Sequence, residues 1–257
     1  MWLVWGRKKV EKPLGYAAEF YPICRAPMIF KVSRIGMATH IYYLSVGEGE
    51  LAGHLGRCQE CKTAIPIDAS KFVRFEKDLP NNLDALIQNT YPDFHRDFEN
   101  RLEIEDRLKS REPMAIPNRE RLLMEPFDIL AMDVEERFAY TPIDREIAIA
   151  IGVTSVIFML LCCGSAAFLE DDFVRDVINL GLGFVFIAGV VYTFVQIARA
   201  PKRYIRRMIV PRLSQSLRPL SPIRSEIADC IERIKSKGLR LGKHIDEEQL
   251  WETIQHR

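Results

Sequence analysis

Two uninterrupted apolar runs constrain this chain more than any other feature. Ile147–Leu169 has 23 residues and Val177–Ala198 has 22, and neither contains a charged side chain. At about 1.5 Å per residue, either run as a helix is long enough to cross a hydrocarbon core of roughly 30 Å. One such run also suits a buried core helix, but two in succession point to membrane insertion. Only Glu170–Asp176 lies between them, so the expectation is a transmembrane hairpin whose two ends emerge on one side. That loop carries four acids and one arginine. The segment after the second run carries Arg199, Lys202, Arg203, Arg206, Arg207 and Arg212 with no acid up to Arg212. Cationic flanks are retained in the cytoplasm. The chain therefore reads as a multi-pass protein of the cell membrane with both termini cytoplasmic. Gly152, Gly164, Gly181, Gly183 and Gly189 allow close approach of two helix backbones. The lack of charge argues against an ion or proton path and leaves an anchor as the expected role.

The overall charge of +1 conceals segregation. Residues 1–75 carry 11 basic and 6 acidic side chains, net +5. Residues 76–146 carry 10 and 18, net −8, and residues 199–257 carry 14 and 7, net +7. A basic tail beside the bilayer suits anionic lipid. Because the hairpin returns both ends to one surface, the acidic and basic segments are expected to pack together beneath the membrane. The N-terminal stretch Met1–Trp5 is too short to be the apolar region of a secretory leader.

Residues 1–75 have strand-and-turn composition, with β-rich pieces at Met28–Val32, His40–Leu44 and Gly53–Arg57 punctuated by glycine. Cys58-Gln59-Glu60-Cys61 places two thiols two residues apart, a spacing that lets both reach one metal ion. In a cytoplasmic setting such a pair favours metal or redox use over a structural disulfide. Cys24 follows Tyr21-Pro22-Ile23, a turn that lacks only a cysteine at its first position. A thioredoxin-type role for Cys58 and Cys61 would need a helix after the first cysteine, and none is evident. Trp5-Gly6, the Pro-x-Cys turn, the apolar strands and the Cys-x-x-Cys together resemble the small bacterial membrane-associated zinc-ribbon proteins that open with W-G-x and carry CPxC…CxxC. The resemblance implies zinc as cofactor, with Cys24, Cys58 and Cys61 at three ligand positions and Tyr21 departing from the fourth. His54, four residues before Cys58, is a candidate to complete the site, and His40 is a second histidine in the same region.

Residues 76–146 read as an acidic helical connector, with a short helix at Leu83–Tyr91, a longer one from Pro92 to about Arg111, and another over Arg119–Tyr140 kinked near Pro126. Its carboxylates show no E-x-x-H spacing for a di-metal site. In the tail, the second apolar helix is expected to continue to about Ser216, interrupted at Pro211. Ser221-Pro222 should open a helix running to about Lys237, and Asp246 should cap a last one through Ile254, docked on the face of Ile227, Ile231 and Ile234. The fold class expected is therefore an α+β membrane protein. It has a zinc-ribbon-like domain (1–75), a connector (76–146), a transmembrane hairpin (147–198) and a basic helical tail (199–257). No Ser/His/Asp set, phosphate loop or catalytic carboxylate pair is evident, so an enzyme is not expected. The expected function is a membrane-anchored interaction scaffold, with the lipid bilayer, an unidentified protein partner and a second copy of the chain as partners. Two alternatives remain open. One is a metal- or redox-responsive membrane sensor. The other is a membrane-tethered nucleic-acid binder using Arg7, Lys8, Lys9 and Lys12, although nucleic acid is not the expected partner because aromatic–basic interleaving is sparse.

Overall fold

The computed structural model describes residues 5–41, 44–110, 116–139, 143–168 and 172–256. It is an α+β structure. Four strands, β1 (Trp5–Tyr21), β2 (Ala26–Ile41), β3 (Leu44–Cys58) and β4 (Ala64–Pro66), form one antiparallel meander in sequence order. The strands are much longer than the expected pieces, and His40–Leu44 spans the junction of β2 and β3, with residues 42 and 43 outside the described residues. Glycines that read as turn signals are instead absorbed within the strands. A bulge between Pro13 and Gly15 lets β1 continue past a proline, which its edge position tolerates. Gly15 has φ +145°, and a Cβ there would lie 2.4 Å from the Glu76 carbonyl oxygen. This close approach lets Tyr16 and Glu76 exchange backbone hydrogen bonds of 2.7 and 2.9 Å.

Near its Tyr21 end, β1 is buried on both faces, so Ala17, Ala18, Phe20 and Tyr21 are all core residues and even Glu19 between them is 7% exposed. Ten α-helices follow among the described residues. These include α1 (Leu83–Thr90), α2 (Phe94–Asp97), α3 (Glu99–Lys109) and α4 (Ile116–Phe138). The expected helix from Pro92 is broken at Phe98, and Pro126 lies inside α4 without ending it. Pro117 sits in the first turn of α4, where its missing N–H is not needed.

Next come α5 (Arg145–Phe168) and α6 (Asp172–Tyr204), which pack on each other. Phe158 and Phe186 have ring centroids 5.0 Å apart. A Cβ on Gly189 would come within 2.3 Å of the Thr154 methyl, so the glycine sets how closely the helices meet. Because α6 begins at Asp172, the described part of the expected loop Glu170–Asp176 is helical. Residues 169–171 lie outside the described residues. Among the described residues, one stretch, Gly183–Leu220, is long and apolar enough to cross a membrane.

Beyond α6 a π-helical turn (Ile205–Ile209) leads into α7 (Val210–Leu217). Pro211 does not interrupt the rod. The wider π turn absorbs the mismatch and places the proline in the first turn of α7. Then come α8 (Arg224–Ser236), α9 (Arg240–His244) and α10 (Glu247–Gln255). Ser221 does not cap α8. It has φ +43°, and the Glu226 carboxylate accepts the Ile223 N–H at 2.9 Å instead. Asp246 does cap α10, accepting from the Gln249 N–H, and α10 lies against α7 as well as α8.

The acidic connector and basic tail pack together. α4 lies along α7, α8 and α9, with Arg119–Glu226 at 2.7 Å, Lys237–Asp128 at 2.7 Å and the Tyr204 hydroxyl donating to Asp133 at 2.8 Å. Arg203–Asp144 (2.7 Å) and Arg207–Glu146 (2.6 Å) join the entry to α5 to the end of α6 and the π-helical turn after it. The sheet, connector and tail share one hydrophobic core, including Phe30, Phe94, Phe127, Leu213, Ile234 and Leu250.

Candidate metal centre

Two turns at one end of the sheet are built alike. Between β1 and β2, the Arg25 N–H donates to the Tyr21 carbonyl at 2.7 Å, and Arg25 has φ +55°. After β3, the Lys62 N–H donates to the Cys58 carbonyl at 3.1 Å, and Lys62 has φ +61°. Position 21 therefore matches 58, position 24 matches 61, and the left-handed residue closing each turn matches 25 to 62. Glycine is the residue suited to such backbone, and here two long cations take its place.

The turns bring Cys24, Cys58 and Cys61 together, with their sulfur atoms all within 4.8 Å of one another. Cys24 Sγ and Cys58 Sγ are 4.0 Å apart. Sulfurs on a tetrahedral zinc ion at about 2.3 Å would be separated by roughly 3.8 Å, so the donor set fits a metal ion with small adjustments. Cys58 is buried, while Cys24 and Cys61 are partly exposed. Cys61 is the thiol whose pKa the cluster lowers. Hydrogen bonds from Cys24 and then Cys58 lower its pKa, and Thr63 Oγ1, 3.5 Å from its sulfur, contributes in the same direction. Cys24 is pushed up, first by its hydrogen bond with Cys58, then by Cys61 and burial.

His54 is not brought to the thiols. It lies four residues earlier on β3, opposite Arg34, with its carbonyl accepting the Ile67 N–H at 3.1 Å. Four strand residues amount to about 13 Å. His40 pairs with Ser45 near the far end of the sheet. The residue at the fourth position, Tyr21, is fully buried, with its ring edge-on to Phe30 at 5.3 Å. Its hydroxyl is buried and, among the described residues, makes no hydrogen bond of normal geometry. Burial, and next the charge of Cys61, push this phenol's pKa up. Cys58 and Cys61 are followed by a turn and β4, not by a helix, which does not provide the setting for a thioredoxin-type pair.

The first turn is pinned to the helices by a group that the sequence alone did not single out. Arg25, next to Cys24, makes a two-pronged ion pair with Glu105 of α3 at 2.8 and 3.0 Å, both side chains being 6% exposed. Arg101 reaches the same carboxylate at 3.1 Å, and Arg25 also donates to the Ser216 carbonyl of α7 at 3.4 Å. The partners are 80 or more positions apart, so no local spacing reveals them. On the other side of the cluster, Cys61 lines a cleft of about 870 Å³ with Arg212, Arg218 and His256.

No known protein family, curated protein or solved structure matches this chain.

Proposed function

We propose that this protein is a membrane-anchored scaffold. In this reading α5 and α6 cross the bilayer as a hairpin, and the sheet and remaining helices form a cytosolic body that recruits protein partners. The observation that carries the anchor is the outward apolar surface of the helix pair, where Met159, Phe184 and Phe194 are each 67% exposed. Burying such surface in lipid is the favourable alternative to leaving it in water. The cationic end of α6 supports the cytosolic placement of both termini. Proteolysis of sealed vesicles of known orientation, with antibodies to each terminus, tests the topology. Both termini should be cleaved from the cytosolic side only; cleavage from opposite sides would refute the hairpin.

The three-cysteine cluster supports a second reading, a metal-responsive membrane sensor. In either case zinc held by Cys24, Cys58 and Cys61 would tie the two turns together as in a zinc ribbon, and through Arg25 the sheet to α3 and α7. Elemental analysis of the purified full chain should find one zinc per chain, lost on Cys58→Ser. Zinc-dependent change in partner capture would favour the sensor; capture independent of zinc would favour the scaffold.

A further inference from the structure

We infer that the Tyr21 hydroxyl is the fourth donor of the thiol cluster, making a three-sulfur, one-oxygen site for a divalent ion such as zinc. The inference rests on the metal-binding reading above.

Three independent observations lead to it. The matched turns put Tyr21 at the position that Cys58 occupies in its own turn, so its side chain starts from a ligand position. The ring is fully buried. Among the described residues its hydroxyl makes no hydrogen bond of normal geometry, and the side chains that act on it are Thr63 and the three cysteines. A buried hydroxyl without a partner costs on the order of 1–3 kcal/mol, and native structures rarely leave one unexplained. A phenylalanine would fill the same space without that cost. A metal ion bound to the three sulfurs would give the oxygen its partner.

The chemistry balances. On binding, the ion takes the place of the phenol proton and of the protons on those cysteines still in the thiol form, and all are released to water. Three thiolates and one phenolate around a divalent ion suit a borderline metal; a purely soft monovalent ion gains least from the oxygen. Tyr21 would then replace the missing cysteine by a different donor, and the site would not need His54 or a group from the cleft beside Cys61.

The test uses the full chain in detergent, titrated with zinc and with cobalt as a coloured stand-in. In the wild type, zinc should produce the ultraviolet difference band of an ionised phenol, and cobalt the charge-transfer bands of three thiolates. Tyr21→Phe keeps the ring and removes only the oxygen. It should abolish the phenolate band, release one proton fewer per zinc, shift the cobalt visible spectrum and weaken zinc about tenfold, while the thiolate bands persist. Tyr21→Cys should bind at least as tightly as the wild type and add a fourth thiolate. If Tyr21→Phe binds zinc with unchanged affinity, proton release and cobalt spectrum, the inference is overturned and the fourth position is filled from elsewhere. If the wild type binds neither ion, the metal-binding reading itself falls and takes the inference with it.

Discussion

Replacing Glu105 by alanine should be among the most damaging single changes in the body formed by the sheet and the helices packed on it. The carboxylate is 6% exposed and serves two arginines, Arg25 by two hydrogen bonds and Arg101 by one. Arg101 keeps a second partner, Glu125, at 2.7 Å, so its loss is partial. Arg25 keeps only the 3.4 Å contact to the Ser216 carbonyl and is left as a buried, nearly uncompensated charge. Breaking a buried pair in this way costs about 3–5 kcal/mol. The surviving contacts place the expected loss near the lower bound, about 3 kcal/mol. Urea unfolding of the full chain in detergent, followed by near-ultraviolet circular dichroism, measures it. The double variant Arg25→Met, Glu105→Leu removes both charges and leaves Arg101 with Glu125. It should recover about 2 kcal/mol relative to the sum of the two single variants, since a buried ion pair replaced by apolar side chains is often near neutral. A Glu105→Ala loss below about 1 kcal/mol, or no coupling in the double variant, would refute the reasoning, because surface pairs behave that way.

Acid should loosen the docking of α8 on α4. The Arg119 guanidinium hydrogen-bonded to Glu226 holds that carboxyl below its usual pKa. Its contribution is therefore full above the unfolded-state value of about 4.3 and is lost as the pH falls through the folded value. The pair is partly exposed, so the amount is about 0.5–1 kcal/mol, and Glu226→Gln should show a correspondingly smaller drop in urea midpoint between pH 6 and pH 3. Gly15→Ala should cost about 2 kcal/mol through its positive φ and the overlap with the Glu76 carbonyl, with loss of hydrogen-exchange protection at the Tyr16 amide. Chelation should lower the unfolding temperature of the zinc-loaded wild type and leave Cys58→Ser unchanged.

The parts of this fold that were legible in the sequence are those in which one segment's own pattern decides its structure. The helices α1, α4, α6 and α10 follow from apolar periodicity and caps, and Asp246 caps where its position implied. The Cys58–Cys61 half of the cysteine cluster follows from spacing, because two thiols two residues apart in a turn are already oriented together, whereas Cys24, 34 positions away, was placed beside them by the resemblance. Strand length was hidden because Gly15, Gly36 and Gly53 carry the same signal whether they end a strand or continue it; only the pairing of β1, β2 and β3 and the contact of Gly15 with Glu76 show that the strands run on through them. Charge complementarity between connector and tail was visible as net charge, but not as pairs, because Arg119 and Glu226 are 107 positions apart. The same reason concealed Arg25, which reads as an ordinary surface cation until the fold brings Glu105 to it. Tyr21 lies between these cases. Its departure from the cysteine pattern is plain in the sequence and reads there as a ligand lost. The matching turns and the unpartnered hydroxyl turn that departure into a question about which atom, sulfur or oxygen, completes the site. Tyr21→Phe answers it by removing that oxygen alone.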